Sequence, residues 1–333
     1  MTDRPPNEDF LKLADPLRRE LLAHCYRMLG SVHDAEDLVQ ETYLRAWRAY
    51  DGFEGRSSLR TWLYRIATTA CLTALDSRGR RPMPTGLGAP SAEATAPLTE
   101  RSEVPWLEPV PDALVGAGAE DPALIVTSRE SIRLALIAAL QHLPARQRAI
   151  LILRDVLKWR AAEVAEVLET TTAAVNSGLQ RARTQLSQVS PSPDDPVEPL
   201  PQDQQEQLDR YVAAFESYDV AAIVELFTKD AIWEMPPYPT WYQGAETIGR
   251  LIEVNCPAKQ PGDLRLVQIS ANGQPAFAMY FRQGDVYHAF GLPVLTVTAR
   301  GVSHVAMFFD LNLFDTFDLP RTLPEGRRSS AKK

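Results

Sequence analysis

Between residues 34 and 47 the chain reads DAEDLVQETYLRAW, with apolar or small positions at Ala35, Leu38, Val39, Thr42, Tyr43 and Ala46. That three-to-four spacing predicts a helix with one buried face, and it leaves Asp37, Gln40, Glu41, Arg45 and Arg48 on a polar outer face. Residues 10–78 form a helical block around this segment, punctuated at Gly52 and Gly55 and closed by Arg80, Arg81 and Pro82. From Pro82 to about Pro122 helical period is lost and Pro, Gly, Ala, Ser and Thr dominate, the composition of a linker. Helices resume near Pro122 and run to Gln188 with a break at Pro144, and the Pro-rich run SPSPDDPVEPLP at 190–201 is a second linker. Beyond it helices are predicted at 204–218, at 219–227 and from about Ala245. The period then changes to two, with strands at 264–271, 276–282, 286–298 and 302–311 and hairpin turns at Asn272-Gly273 and Gly284-Asp285.

At 333 residues the chain is long enough for two or three domains. Its charge is uneven: residues 1–190 carry 23 Lys/Arg against 24 Asp/Glu, and residues 191–333 carry 12 against 19. The acidic total does not exclude nucleic acid as a partner, because between Arg56 and Arg81 six arginines face one acid, Asp76. Cys25, Cys71 and Cys256 form no CxxC pair and lie on apolar patterns, which predicts buried, reduced thiols and no metal site. The first residues lack the apolar core of a signal peptide, and no apolar run is long enough for a bilayer. A cytoplasmic protein without cofactor or membrane partner is expected.

Two segments carry candidate chemistry. RSSLRTWLYRIA, at 56–67, interleaves Arg56, Arg60 and Arg65 with Trp62 and Tyr64, the mixture of cations and stackable rings that binds unpaired bases. Core packing is the reading adopted for Trp47, and Trp62 is balanced between core and surface. WRAAEVAEVLETTTAAVNSGLQRARTQL, at 159–186, has a helix-turn-helix pattern in which Val164, Ala165, Leu168, Val175 and Leu179 pack together. Thr171 caps its second helix, which presents Thr172, Asn176, Ser177, Gln180, Arg181 and Arg183 outward, as a major-groove helix does.

The segments at 34–47 and 56–67 closely resemble region 2 of the sigma-70 family in its extracytoplasmic-function (ECF) branch. LPARQRAILILRDV at 143–156, followed by the helix-turn-helix, resembles region 4. The resemblance implies a promoter-recognition subunit of bacterial RNA polymerase. It places Asp37, Gln40, Glu41 and Leu44 against the clamp helices of the β′ subunit, and Leu143–Arg154 near the β flap. Arg56, Arg60, Trp62, Arg65, Thr69, Thr73 and Arg78 match the surface that opens and reads the −10 element, and the outer residues of the second region 4 helix match those that read the −35 element. The acidic linker resembles a segment threaded toward the RNA exit path, where its carboxylates mimic phosphate; a solvated tether is the alternative. Two positions depart from the family pattern. Thr69 and Thr73 stand where Asn and Asp (or Asn) are common, and Glu169 stands at a turn where Gly is usual.

Residues 203–320 resemble a SnoaL-like domain, the α+β cone shared with ketosteroid isomerase and polyketide cyclases. The resemblance rests on LDRYVAAFESYDVAAIVELF, the strand DAIWEMPP, a WYQG turn at 241–244 and VSHVAMFFDLNLF. It implies an apolar pocket able to hold a small ligand, lined from Trp233, Met235, Tyr242, Phe277, Tyr280, His288, Phe290 and His304. His288 and His304 alternate with apolar neighbours, which points both inward, but no paired acid of clear spacing accompanies them. The expected architecture is therefore multidomain: region 2 at 10–81, an acidic linker at 82–122, region 4 at 123–189, a Pro-rich linker at 190–202, the cone at 203–320 and a basic tail at 321–333. Two all-α domains precede one α+β domain. The expected function is promoter-specific initiation with the cone as an internal regulator. The alternatives are a cone that performs isomerase or cyclase chemistry and a repressor that never meets polymerase, against which the polar face at 34–47 argues.

Overall fold

The computed structural model describes residues 6–77, 79–116, 130–189 and 201–324, and the chain divides into two compact units. The first comprises residues 1–81 and 107–191. Its helices are α1 (Pro6–Ala14), α2 (Arg18–Leu29), α3 (Val32–Ala49), α4 (Leu59–Ser77), α5 (Asp112–Val115), α6 (Leu134–Leu140), α7 (Ala145–Leu151), α8 (Ala161–Val167) and α9 (Thr172–Val189). Gly30, at φ 71°, ends α2, and the Ser31 hydroxyl caps α3 by accepting from the Asp34 amide at 3.1 Å. Leu21, Tyr26, Met28, Val39, Leu63 and Tyr64 are buried where α2, α3 and α4 pack, and each contributes about 1.5–3 kcal/mol of apolar burial. His24 is fully buried behind α4, its Nε2 2.9 Å from the Thr68 hydroxyl.

Region 4 is more broken than its sequence suggests. The expected helix from Pro144 onward ends in a π turn at Ile152–Val156, and α8 and α9 follow as separate helices. Polar bonds fasten these helices to α2. The buried Arg148 guanidinium donates to the Met28 carbonyl, to Gln141 Oε1 at 2.8 Å and to the Gln141 and Leu143 carbonyls at 3.2 and 3.1 Å. Arg27 donates to the Ser131 hydroxyl at 2.7 Å.

The second unit comprises residues 82–106 and 192–333. It contains α10 (Pro201–Glu216), α11 (Val220–Leu226), α12 (Ala245–Asn255) and α13 (Asn312–Thr316). Its strands are β1 (Phe227–Met235), β2 (Tyr238–Gln243), β3 (Leu264–Ala271), β4 (Gln274–Gln283), β5 (Val286–Thr298), β6 (Gly301–Phe308) and β7 (Thr322–Pro324). The sheet order is β2-β1-β6-β5-β4-β3, with β7 on β5; β1 and β6 run parallel and every other pair is antiparallel. Asn272 and Gly273 both have positive φ, 56° and 68°, as a tight hairpin between β3 and β4 requires. The WYQG segment read as a turn is instead the end of β2; the turn is made by Gly244 alone, at φ 95°.

Residues 82–106, read as part of a linker, pack on this unit. Ser91 bridges to Tyr242, the Trp241 indole donates to the Gly88 carbonyl at 2.9 Å, and Ala94 is buried in the cone's apolar core. Apolar side chains in the acidic run explain the tight path: Met83 and Pro84 are buried, as are Trp106, Leu107 and Val110 where the chain leaves the second unit and rejoins the first. Of the linker expected at 190–202, residues 190–200 lie outside the described residues, and Pro201 and Gln202 already belong to α10; of the tail expected at 321–333, residues 325–333 lie outside, and Thr322–Pro324 form β7, paired with β5.

Candidate nucleic-acid interface

On α3 the buried positions are Val32, Ala35, Val39, Thr42 and Ala46. Asp37, Gln40 and Leu44 are exposed on the opposite side, and the half-buried Glu41 accepts from Arg45 at 2.6 Å. A groove of 680 Å³ beside them is lined by Leu11, Val39, Gln40, Tyr43 and Leu44. Trp47 does not pack in the core: it is 42% exposed, because it falls three residues from Leu44 and off the Ala35–Val39–Thr42–Ala46 stripe.

Along α4 the arginines differ in their surroundings. Arg56, just before the helix, is exposed and pairs with Glu54 at 2.6 Å. Trp62 is half-buried and stacks on Phe53 with centroids 4.8 Å apart. Arg60 chelates Glu20 at 2.8–2.9 Å and lies over two rings, Tyr64 at 4.9 Å and Trp159 at 5.6 Å. Trp159 itself is buried against Tyr64, centroids 5.1 Å apart. Arg65 pairs with Glu169 at 2.5 Å. Thr69 and Thr73 are exposed, and Arg78 lies outside the described residues. Region 4 thus reaches the two α4 arginines through Trp159, at the entrance of the helix-turn-helix, and Glu169, at its turn. Sequence reading missed both partners.

Glu169 has φ 50°, so the turn is left-handed as expected at that position. The Thr171 hydroxyl accepts from the Ala174 amide at 3.1 Å and starts α9. Val164, Ala165, Leu168, Val175 and Leu179 are all buried. Gly178 lies against Ile150, whose Cδ1 would stand 2.6 Å from a Cβ there, so α9 approaches α7 closely. Thr172, Asn176, Ser177, Gln180, Arg181 and Arg183 are all exposed, and Arg183 pairs with Asp155 at 2.6 Å.

Residues 13–81 match the model of Sigma-70 region 2, 133–186 match Sigma-70, region 4, and 208–311 match the SnoaL-like domain. The chain is 61% identical over 316 residues, 95% of its length and 85% of the relative's, to the ECF RNA polymerase sigma factor SigG of Mycobacterium tuberculosis. The chain belongs to the ECF sigma factors. It is also 29% identical over 299 residues to SigJ of the same species, covering 86% of each chain. The crystal structure of Mycobacterium tuberculosis SigJ superposes on 93% of this chain and all of its own with TM-score 0.60 at 23% identity, a likeness of fold. As an ECF sigma factor the protein binds core RNA polymerase and directs initiation at particular promoters.

The acidic stretch of this sigma factor is not uniformly solvated. Glu108 accepts from the Ser31 hydroxyl at 2.7 Å and the Val32 amide at 3.1 Å at the start of α3, and Glu100 accepts from the Tyr238 hydroxyl at 2.9 Å.

In the SnoaL-like domain Trp233 and Tyr242 are cross-strand neighbours in the buried core, with Met235 and Phe277. The Trp233 indole N–H, the Tyr242 hydroxyl and the Tyr211 hydroxyl have no hydrogen-bond partner there. His288 is half-buried opposite Phe281, on the side facing that core. His304 does not point inward as expected. Val305 and Met307 take the core face of β6, so His304 lies on the other face, its Nε2 2.8 Å from buried Glu234. The second Glu234 oxygen accepts from the Thr85 amide at 3.0 Å. Tyr280 is likewise turned away from the cone, packing on Phe314 and donating to the Pro320 carbonyl at 3.0 Å. Cys25 and Cys71 are buried and Cys256 is half-buried, all as free thiols; hydrogen bonding to Cys25 and burial raise the Cys71 thiol well above its usual range. Among the described residues no cluster of His, Cys, Asp and Glu could hold a metal, and no helix is long and apolar enough to cross a membrane.

Proposed function

We propose that this ECF sigma factor rests in a form in which region 4 engages Arg60 and Arg65 of the −10 surface while the −35 helix stays exposed, with the SnoaL-like domain acting as a regulator and not as an enzyme. The observation that carries the reading is the pairing of Arg60 and Arg65 with Trp159 and Glu169 while the six outward residues of α9 stay exposed. A cation stacked on a ring and a neutralised arginine are less available to phosphate and unpaired bases than free ones. Asp37, Gln40, Glu41 and Leu44, with the groove beside them, face the β′ clamp helices, and Leu143–Arg154 meets the β flap. Because such a factor works on DNA with polymerase, it acts in the cytoplasm.

The regulatory reading of the SnoaL-like domain rests on residues 82–106, which connect the two sigma regions and are bonded along that domain. A small ligand in the cone would shift this arrangement only by binding one state more tightly than the other. Catalysis has less support: the Glu234–His304 pair holds the Thr85 amide on the sheet face opposite the cone core. The test is transcription from one promoter by the full chain and by a form ending near residue 202, alongside scattering of the free proteins. A marked change in activity supports the regulatory reading. Equal activity, with the third domain tumbling independently, contradicts it.

A further inference from the structure

Thr69 and Thr73, the two departures from the family pattern on α4, lie one turn apart on its exposed side, in line with Arg65. The Thr69 hydroxyl donates to the Arg65 carbonyl at 2.9 Å and the Thr73 hydroxyl donates to the Thr69 carbonyl at 3.0 Å. Ser77, the next residue of the row, donates to the Ala74 carbonyl at 3.0 Å. A hydroxyl has a single proton and two lone pairs. With the proton bonded back into the helix, each threonine offers the surroundings a lone pair and a methyl group, and no donor. An asparagine at either place would offer donor and acceptor together.

Unpaired bases divide on this criterion. On the major-groove edge adenine N6 and cytosine N4 donate, whereas guanine O6 and thymine O4 accept; the guanine N2 amine lies on the opposite edge. Two accepting oxygens facing each other repel, and relieving that by turning a hydroxyl outward gives up its bond to the helix carbonyl. We propose that Thr69 and Thr73 read the opened −10 strand as acceptors facing the major-groove edge of its bases, where adenine N6 and cytosine N4 donate, so that the chain selects adenine or cytosine over guanine or thymine at the two positions they meet. This rests on the reading that α4 meets the −10 strand. Contact between the threonine methyl and the thymine methyl is the competing recognition, and it predicts thymine instead.

The test is binding of polymerase holoenzyme carrying the full chain to forked promoters whose −10 strand bears each of the four bases in turn. The wild type is expected to favour A or C by about tenfold at two positions, the worth of one hydrogen bond. T69V with T73V keeps size and methyl but removes the acceptor, and should flatten the selection to within about twofold. T69S with T73S keeps the acceptor and should retain it. Selection that survives in the valine variant, is lost in the serine variant, or favours thymine overturns the proposal. Arg65→Ala separates this from failure of the underlying reading: uniformly weaker binding with selection intact places α4 on the −10 strand. Undiminished binding to every sequence removes α4 from the −10 strand, and the proposal falls with it.

Discussion

The two helices proposed to face promoter DNA, α4 and α9, are built alike and presented differently. Each buries one apolar stripe and turns a polar row outward, yet Arg60 and Arg65 of α4 meet Trp159 and Glu169 of the other sigma region, while the α9 row is exposed at all six positions and its Arg183 pairs with Asp155 inside its own region. Both partners of α4 belong to region 4, at the entrance and the turn of the motif that presents α9. A surface for duplex DNA is thus available in the same arrangement that engages a surface for opened DNA. On the proposed reading such a factor meets a −35 element first, and Arg60 and Arg65 become fully available to the −10 strand when region 4 moves from α4.

The largest expected effect comes from removing what joins the two regions. Arg148→Met leaves the Met28, Gln141 and Leu143 carbonyls without their donor in a buried site, and should lower stability by about 3 kcal/mol in urea unfolding. An unchanged midpoint would mean the joint does not depend on this residue.

Acid should lower the stability of the fold through His24, which is buried against α4. Burial, helped by the charges of Arg27 and Arg60, pushes the His24 pKa down to about 3. The unfolded chain takes up that proton near 6.5, so the stabilisation is complete above pH 6.5 and is lost as pH falls, by about 2 kcal/mol at pH 5. His24→Gln should remove that part of the pH slope between 7 and 5; an identical slope would contradict the assignment.

On the α9 side, Arg181→Ala should cost about 1–3 kcal/mol on one −35 sequence if the guanidinium pairs with guanine. If it meets phosphate, the loss is equal on all sequences and the salt slope falls by about one unit. Binding at two salt concentrations distinguishes them, and no loss in either would take Arg181 out of the interface. The smallest expected effect is Glu169→Gly. Relief of a left-handed residue is worth about 1 kcal/mol, and an ion pair with Arg65 46% and Glu169 75% exposed is worth about 0.2–1 kcal/mol, so stability should hardly move. Affinity for a −10 single strand should rise roughly twofold as one contact is lost. A large loss of stability would show that the pair holds the fold.

Sequence pattern made much of this legible. The buried stripe of α3, the packing positions of the helix-turn-helix, the Thr171 cap and the Asn272-Gly273 hairpin all follow from local periodicity and turn chemistry, which act between residues near in sequence. What escaped was long-range. Nothing local distinguishes Trp159 as the ring over Arg60 or Glu169 as the partner of Arg65, 104 residues away. His304 was misplaced because Val302 and Val305 are both core residues of β6, an irregularity that alternation cannot anticipate. Residues 82–106 were read by composition as free chain, although Met83, Trp106 and Leu107 were apolar signals within the run.

The difference between α4 and α9 is tested most directly by the free full-length protein and its Trp159→Ala/Glu169→Lys variant, each titrated with a −35 duplex and with a −10 single strand. Losing the tilted ring contact with Tyr64, the cation–π contact and the ion pair releases about 1–3 kcal/mol of intramolecular contact with α4. The variant should therefore bind the −10 strand about tenfold more tightly than the wild type while the −35 duplex binds both alike. Equal −10 affinity in the two proteins, with −35 binding intact, would contradict the account.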